Sequence, residues 1–271
     1  MNMEKRTVPA ELKIDSKTVK DLLVRFIKDQ MGSAGFSKCV IGISGGVDSA
    51  TAAALTAEAV RKENVLGVIL PYRTGNPKSI EDAKLVIQKT GIRSEIIDIS
   101  NMVDAYCNEN NVTDPLRRGN VMARIRMIVL YDISAREKAL VVGTSNKTEL
   151  LIGYGTQYGD SAYAFNPLGD LYKSQIWQLA EELKIPRPVI DKAPSADLWE
   201  GQTDEGEIGI SYNELDSLLL KMIDEGLPDD ELFRIGYTDS LIKKVRGMII
   251  RNGFKRRMPA IAKASYNRLD K

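Results

Sequence analysis

The amino-acid sequence predicts an α/β protein in which a parallel sheet carries helices on both faces, in a single domain over residues 1–271. Short apolar runs bounded by turn residues alternate along the chain with longer segments of helical periodicity. Such an alternation gives parallel strands joined by right-handed crossovers. A glycine-rich turn directly follows the first apolar run, and ligands bind at the carboxyl ends of the strands in sheets of this kind.

Four short segments are the predicted strands. Residues 39–43 and 65–70 are continuous apolar runs, which are typical of strands buried on both faces. Residues 94–99 and 139–142 follow in the same strand–helix order. The sequence therefore predicts four parallel strands, with the glycine-rich turn at the end of the first.

The segments between the strands are predicted helices. In the first of them Ser16 is a candidate cap, Gly32 is a candidate stop, and the apolar residues recur with the spacing of one helix face. The predicted helices cover about residues 16–32, 49–62, 79–90, 118–137 and 171–183, with a short one inside 143–170 and two or three at the end of the chain. Residues 1–15 are expected to be a loosely ordered lead-in, and 194–210 to be a loop.

The composition is that of a globular protein whose chemistry does not use histidine. Hydrophobic residues make up 43% and charged residues 28%, the histidine count is zero, and the only cysteines are Cys39 and Cys107. These counts exclude Ser-His-Asp and Cys-His catalysis, zinc sites built on His or Cys, and a disulfide framework. No 18-residue apolar run and no signal-peptide pattern occurs, so we expect a cytoplasmic protein without a membrane partner.

Charge is unevenly distributed towards the end of the chain, although the formal net charge is only +1. Residues 191–240 carry 14 acidic and 3 basic residues, and residues 241–271 carry 10 basic and 1 acidic. Two interpretations stay open: the two stretches neutralise each other, or the basic residues 255–257 bind an anionic ligand. Nucleic acid is not the expected partner, because the whole chain is nearly neutral and aromatic residues are only 6%.

The strongest functional signal is the turn Ser44-Gly45-Gly46-Val47-Asp48-Ser49. Glycines let the backbone approach a ligand closely, and the helix that follows offers N–H groups and the positive end of its dipole to an anion. The hydroxyls of Ser44 and Ser49 add donors. Asp48 would repel a phosphate unless a cation lies between them, and Mg²⁺ is the natural bridge. The spacing is neither that of a Walker A loop nor that of a dinucleotide-binding Gly-x-Gly-x-x-Gly motif.

Ser-Gly-Gly-x-Asp-Ser after an apolar strand resembles the pyrophosphate loop of the N-type ATP pyrophosphatases, which transfer AMP to an oxygen and release pyrophosphate. Further motifs resemble the ammonia-dependent NAD synthetase family within that superfamily. They are, in chain order, Gly119–Arg124, Gly143–Glu149, Gly153–Asp160, Pro167–Lys173, Pro194–Leu198 and Gly201–Glu205. The resemblance covers about residues 20–260 and implies a Rossmann-like sheet of the adenine nucleotide alpha hydrolase type.

The resemblance also implies a role for each matched residue. Asp48 and Glu149 would be the ligands of Mg²⁺, and Asp48 and Lys173 would act in catalysis. ATP would be bound by Gly42, Ser44, Gly45, Gly46, Asp48, Ser49, Thr144, Lys173 and Ser195, and the dinucleotide substrate by Arg124, Gln157, Phe254 and Lys255. The residue types suit these roles, since carboxylates coordinate Mg²⁺, lysine is a point charge for phosphate and arginine can hold an anion with two hydrogen bonds.

Two positions depart from the commonest pattern of the family, which has Lys where Gln157 stands and Asp where Ala164 stands. Both positions contact the dinucleotide in that family, so the departure concerns how the nicotinate end is held; Gln157 can still hydrogen-bond a phosphate or a carboxylate. Structural alternatives also remain for the matched residues. Glu149 suits the start of a helix, Lys173 a helix surface, and Arg124 an ion pair on an amphipathic helix.

The function that the resemblance implies is the ATP-dependent amidation of nicotinic acid adenine dinucleotide (deamido-NAD) by ammonia. The substrate carboxylate would attack the α-phosphorus of ATP, pyrophosphate would leave, and ammonia would then displace AMP from the acyl adenylate. The expected partners are ATP, deamido-NAD, ammonia and a second copy of the chain in a homodimer. Two alternatives are another AMP-transferring enzyme, such as a tRNA thiolase, and a module that binds ATP without turnover.

Overall fold

The computed structural model describes residues 8–195 and 203–262, and within them the sheet has four parallel strands. They are β1 (Lys38–Gly42), β2 (Val65–Ile69), β3 (Arg93–Ile96) and β4 (Ala139–Val141), in the spatial order β3-β2-β1-β4. The predicted α/β fold with a parallel sheet is confirmed. β3 ends at Ile96, before the predicted end at residue 99, although the N–H groups of Ile97 and Ile99 still donate to the carbonyls of Ile69 and Pro71 at 3.0 Å.

Twelve α-helices lie in the described residues. They are α1 (Ser16–Ala34), α2 (Val47–Val60), α3 (Pro77–Thr90), α4 (Ser100–Glu109), α5 (Pro115–Glu137), α6 (Lys147–Ile152), α7 (Lys173–Glu182), α8 (Arg187–Asp191), α9 (Asp204–Ile208), α10 (Tyr212–Leu219), α11 (Asp229–Arg234) and α12 (Asp239–Arg251). Short 3₁₀ turns occupy Ala10–Leu12, Lys62–Asn64 and Gly253–Arg256, and one π-helical turn continues α10 over Leu220–Asp224. Among the described residues no helix is long and apolar enough to cross a bilayer.

Helices cover both faces of the sheet. Cys39 and Ile41 of β1 lie in one apolar core, which they share with α1, α2, α3 and α7. Val40, whose side chain points to the opposite face, lies in a second core with Val103 of α4 and Ile133 of α5. Because both faces of the central strands are buried, their sequence is continuously apolar rather than alternating.

The ends of α1 differ from the prediction by a few residues. Asp15, and not Ser16, caps the helix, since its carboxylate accepts the backbone N–H groups of residues 17 and 18. The helix continues through Gly32 and ends at Gly35, which has a φ of 72°. A glycine inside a helix costs about 1 kcal/mol relative to alanine, which the packing of α1 on α2 and α7 outweighs.

Three segments are more ordered than the sequence predicts. In the expected lead-in, Leu12 is fully buried and its carbonyl accepts a hydrogen bond from Gln178 at 3.0 Å, so the described residues 8–15 pack against α7. The polar segment before Asp114 contains α4, and the expected loop 194–210 contains α9. Residues 1–7 of the lead-in and 196–202 of the loop lie outside the described residues.

Candidate active site

The glycine-rich turn joins β1 to α2, as the sequence predicts, and two features force glycine at position 45. Gly45 has a φ of +79°, and a Cβ built there would lie 2.3 Å from the backbone oxygen of Ser79 in α3. Gly42 ends β1 and Gly46 precedes the first residue of α2. The backbone of the turn is therefore pressed against α3, and the N-terminus of a 14-residue helix opens at the edge of the sheet.

Two serine hydroxyls hold the turn in shape. The Oγ atoms of Ser44 and Ser49 lie 3.0 Å apart, and the Ser49 hydroxyl donates to the Gly46 carbonyl at 3.1 Å. The backbone N–H of Gly46 donates to Ser44 Oγ at 3.2 Å. The hydroxyls and backbone amides of this preorganised turn can donate hydrogen bonds to the oxygens of a phosphate group.

Asp48, Glu149 and Lys173 meet at the start of three helices, α2, α6 and α7, and we call them the carboxylate–lysine cluster. The Lys173 ammonium lies 2.5 Å from Asp48 Oδ2 and 3.5 Å from Glu149 Oε1, and only 3% of its side chain is exposed. Asn146, the cap of α6, donates from Nδ2 to Asp48 Oδ1 at 2.9 Å and from its backbone N–H to Glu149 Oε2 at 3.3 Å. Lys173 is thus an inward-facing group and not a surface residue.

Burial and charge act in opposite directions within this cluster. Burial, with the Asp48 carboxylate, raises the pKa of Glu149 to about 8, and the Lys173 ammonium opposes that rise. Burial lowers the pKa of the Lys173 ammonium, but the charges of Asp48 and Glu149 outweigh burial, so that its pKa lies above the ordinary value. Lys173 therefore stays charged beside two carboxyl groups that share one cation.

The donor set suits a hard divalent cation. Asp48 and Glu149 offer carboxylate oxygens beside the phosphate turn, and Mg²⁺ uses one or two protein carboxylates together with water and substrate phosphates. No group of three or more acidic, Cys or His side chains in the described part of the chain forms a metal cage. A cation here would therefore need the phosphates of a nucleotide to complete its ligands.

Groups that the sequence analysis missed surround the cluster. Asp204 at the start of α9 is 4% exposed and accepts hydrogen bonds from Tyr212 at 3.0 Å and from Tyr154 at 3.1 Å. The ring of Tyr212 lies with its centroid 5.2 Å from the Lys173 ammonium. Asp204 belongs to the quoted motif Gly201–Glu205 and Tyr154 to Gly153–Asp160, so these motifs were the available signal, whereas Tyr212 lies in no quoted motif.

Three of the four residues expected to bind the dinucleotide meet at residues 153–160, which we call the 153–160 loop. Arg124 of α5 donates to the Gln157 carbonyl at 3.3 Å, and Lys255 donates to the carbonyls of Gly153 and Gly155 at 2.8 and 2.9 Å. Burial lowers the pKa of Lys255. These cations satisfy backbone carbonyls in a half-exposed setting, where an anionic group of a ligand can compete for them.

The remaining expected residues lie at the periphery of these contacts. Phe254 precedes Lys255 and its side chain is exposed. Thr144 follows β4 and is half-buried, at the same edge of the sheet as the glycine-rich turn, because β1 and β4 are parallel neighbours. Ser195 is half-buried, and its neighbour Pro194 accepts the backbone N–H of Asp204 at 3.0 Å, which brings this segment beside the cluster.

Fold and site together define an α/β nucleotide-binding protein whose β1–α2 turn can hold phosphate beside a buried carboxylate–lysine cluster. The chain belongs to the NAD synthase family, whose model matches residues 19–259.

Known relatives are similar to this protein in sequence and structure over nearly the whole chain. An NH(3)-dependent NAD(+) synthetase from Chlorobium phaeobacteroides is 50% identical over 94% of this chain and 92% of its own length. Among solved structures, the NMN synthetase from Francisella tularensis superposes with a TM-score of 0.82 at 31% identity, over 93% of this chain and 100% of that one. The NH3-dependent NAD synthetase from Campylobacter jejuni, in complex with the nitrate ion, superposes with a TM-score of 0.79 at 36% identity and the same coverage.

Proposed function

We propose that this protein is a C–N bond-forming ligase that converts deamido-NAD to NAD⁺ with ammonia and ATP, and releases AMP and pyrophosphate. The observation that carries the proposal is the carboxylate–lysine cluster beside the phosphate turn, in a chain 50% identical to a curated enzyme of that activity. No protein nucleophile is needed, because ammonia is itself the nucleophile.

The first step forms an acyl adenylate. The phosphates of ATP lie on the glycine-rich turn, where Gly42, Gly45 and Gly46 leave room for them and the hydroxyls of Ser44 and Ser49 donate. A carboxylate oxygen of deamido-NAD bonds to the α-phosphorus as the bond to pyrophosphate breaks. Lys173 stabilises the negative charge on the phosphoryl oxygens in a water-poor setting.

Mg²⁺ held by Asp48 and Glu149 would neutralise charge on the ATP phosphates. Thr144 and Ser195 would complete the ATP site from the ends of β4 and of the segment before α9. In the second step ammonia attacks the acyl carbon, the C–O bond to AMP breaks, and the nitrogen loses a proton. The protein supplies positioning and charge stabilisation in both steps.

The dinucleotide would be recognised at the 153–160 loop. Arg124 and Lys255 would move their hydrogen bonds from backbone carbonyls to the anionic groups of the substrate, Gln157 would donate from its amide, and Phe254 would offer a ring face. Because Gln157 and Ala164 stand where the commonest family pattern has Lys and Asp, this chain would hold the dinucleotide with a different set of side chains at these two positions.

Ammonia, and not glutamine, is the proposed nitrogen source of this chain acting alone. Glutamine hydrolysis requires an activated nucleophile, usually a cysteine with a partner base. Cys39 and Cys107 are both 1% exposed, and burial raises the pKa of Cys39 to about 12. With no histidine in the sequence, neither thiol has that common partner.

The protein is proposed to be a cytoplasmic homodimer that pairs partly through α5. Leu116, Ile128 and Tyr131 of this helix are exposed, and Ile128 and Tyr131 share one face. An Ile128→Asp variant should sediment as a monomer at micromolar concentration while the parent chain sediments as a dimer. A monomeric parent chain would rule the dimer out.

Product analysis tests the function. Purified protein is incubated with ATP, Mg²⁺, deamido-NAD and either ammonium or glutamine, and NAD⁺ and AMP are quantified by chromatography. We expect equimolar NAD⁺ and AMP with ammonium and none with glutamine. ATP binding without AMP release would favour the non-catalytic module, and AMP release that depends on tRNA would favour the thiolase.

A mononucleotide substrate is the second candidate, because the solved structure with a TM-score of 0.82 is named an NMN synthetase. NMN is the mononucleotide counterpart of NAD⁺, so the same amidation would begin from nicotinic acid mononucleotide. Comparing kcat/KM for the two substrates under identical conditions decides between them. We expect the dinucleotide to be preferred, as the 50% identical relative is an NAD(+) synthetase.

A further inference from the structure

Asp216 lies beside the carboxylate–lysine cluster, in contact with residues 148 and 174. It belongs to α10 and is fully buried. Its Oδ1 accepts the hydroxyl of Thr148 at 2.5 Å, and its Oδ2 accepts the backbone N–H of Ser174 at 2.7 Å. Burying a carboxylate is costly unless its oxygens are hydrogen-bonded, and here each oxygen has a partner on a different helix.

The two partners are the chain neighbours of Glu149 and Lys173. Thr148 directly precedes Glu149 in α6, and Ser174 directly follows Lys173 in α7. The Thr148 hydroxyl oxygen also accepts the backbone N–H of Lys173 at 3.1 Å. Asp216 therefore links α6 to α7 at the point where these helices bring Glu149 and Lys173 to 3.5 Å.

The negative charge of Asp216 suits this link. Ser174 lies in the first turn of α7, a ten-residue helix whose first N–H groups have no partner inside the helix. A carboxylate that accepts such an N–H is favoured by the helix dipole and makes a charge-assisted hydrogen bond. The beginning of α7, and with it Lys173, is held by a stronger bond than a neutral acceptor would make.

We propose that Asp216 is a positioning residue for the amidation, which fixes the distance between Glu149 and Lys173 by tying α6 to α7. The role rests on the proposed function, because it concerns the geometry in which that pair meets ATP. A displacement of about 1 Å in a catalytic group can lower a rate about 10²-fold. Asp216 itself does not contact the substrate.

Two substitutions of Asp216 test whether its hydrogen bonds to α6 and α7, and not only the filling of a buried position, are needed for activity. Asp216→Ala removes both acceptors and leaves the Thr148 hydroxyl and the Ser174 N–H unpaired. Asp216→Asn can keep both links, with its amide oxygen accepting from Ser174 and its amide N–H₂ donating to the Thr148 oxygen. The matched control is Ser217→Ala, on the same helix and 7% exposed, whose hydroxyl instead donates to Glu11 at 3.1 Å.

Steady-state kinetics with ammonium, corrected for the folded fraction measured by circular dichroism, give the readout. We expect Asp216→Ala to lower kcat about 10²-fold while KM for deamido-NAD changes less than about twofold, since the 153–160 loop is untouched. Asp216→Asn should retain kcat within about fivefold, and Ser217→Ala within about twofold. A folded Asp216→Ala with the kcat of Ser217→Ala, or a folded Asp216→Asn as slow as Asp216→Ala, would overturn the proposal.

Substitutions of Thr148 decide the matter if Asp216→Ala does not fold. Thr148→Val removes the hydroxyl at nearly constant volume, and Thr148→Ser keeps it. We expect Thr148→Val to lower kcat at least about tenfold and Thr148→Ser to stay within about threefold of the parent. Equal kcat for the two variants would contradict the proposed link.

Failure of the proposed function and failure of the positioning role give different results. If the parent protein forms no NAD⁺ and AMP, the proposed function fails. If the parent protein is active and the Asp216 and Thr148 variants match their controls, only the positioning role fails.

Discussion

The carboxylate–lysine cluster and the 153–160 loop are built in different ways. In the cluster, charged side chains meet one another in a buried space, and Lys173 is only 3% exposed. At the loop, Arg124 and Lys255 donate to backbone carbonyls in a half-exposed setting, and Phe254 beside them is 58% exposed. Both regions collect cations, but Lys173 in the cluster is ion-paired with two carboxylates, whereas Lys255 at the loop feels the charge of Asp160 and donates its hydrogen bonds to carbonyls.

This difference separates chemistry from recognition. Preorganised charges in a buried site stabilise a transition state without reorganisation when the reaction occurs, so the cluster suits the phosphoryl step. Hydrogen bonds to backbone carbonyls at a half-exposed edge can be exchanged for those of a ligand, so the loop suits binding. Substitutions in the cluster should therefore lower kcat, and substitutions at the loop should raise KM.

The largest expected effect is that of Lys173→Met. Removing the ammonium leaves Asp48 and Glu149 without their cation and removes the charge that we propose stabilises the phosphoryl oxygens. We expect a fall in AMP formation of about 10³-fold or more, with a lowered melting temperature. Lys147→Met is the control, because Lys147 pairs with Asp170 and Asp224 and should leave kcat within a few-fold. AMP formation by Lys173→Met at the control's rate would break the comparison.

Gly45→Ala should give the next largest effect. Its Cβ would meet the Ser79 oxygen at 2.3 Å, and an αL-type φ of +79° costs a non-glycine residue about 1–2 kcal/mol before any clash. We expect ATP turnover to fall about 10²-fold, because the turn must shift away from α3. Gly32→Ala has open space and should raise stability by about 0.5–1 kcal/mol, as measured by thermal unfolding. Equal turnover in the two variants would show that the turn is not held as described.

At the loop, Lys255→Met should act on binding. Its ammonium donates to the carbonyls of Gly153 and Gly155, and its loss removes the cation that we propose binds the substrate. We expect KM for deamido-NAD to rise about tenfold while kcat stays within about threefold. Lys243→Met, at an exposed site on α12 that pairs with Asp239, is the matched control. A kcat loss without a KM change would place Lys255 with the chemistry instead.

The smallest expected effect is on the pH dependence of stability. The pKa of Glu149 is about 8 in the fold and 4.5 ordinarily, so the fold favours its protonated form. Its contribution to stability is present in full below about 4.5 and is lost as pH rises through about 8. With a chelator present, the melting temperature should fall from pH 6 to pH 9 by a few degrees more in the parent protein than in Glu149→Gln. Parallel curves for the two proteins would contradict the burial of this carboxyl.

Local patterns predicted the sheet and the phosphate turn well. The continuous apolar runs gave β1 and β2 within a residue or two, because burial on both faces leaves no alternation to misread. The turn was recognisable because it contains glycines, and Gly45 adopts a positive φ of 79° that other residues rarely adopt. Segments whose order depends on distant partners were not predicted: Leu12 is held by Gln178, 166 residues away in sequence.

The residues of the candidate site also differ in whether the sequence could predict them. The residue types of Asp48, Glu149 and Lys173 and their motifs were visible in the sequence, as were those of Arg124 and Lys255. The supporting residues were not, since Asp216 is one of two acids in α10, beside Glu214, and Tyr212 is an aromatic residue on the same helix. Their importance follows only from which groups they contact.

The sequence by itself determined the alternation of strands and helices, the anion-binding turn, the absence of histidine chemistry and the membership of the motifs in one family. Tertiary structure decided that Lys173 lies between Asp48 and Glu149, that the cations at residues 124 and 255 contact one loop, and that Asp216 ties two helices together. The physical reason is range. Periodicity, capping and turn chemistry act over a few residues of chain, whereas these contacts join residues 24 to 125 positions apart and exist only once the helices have packed.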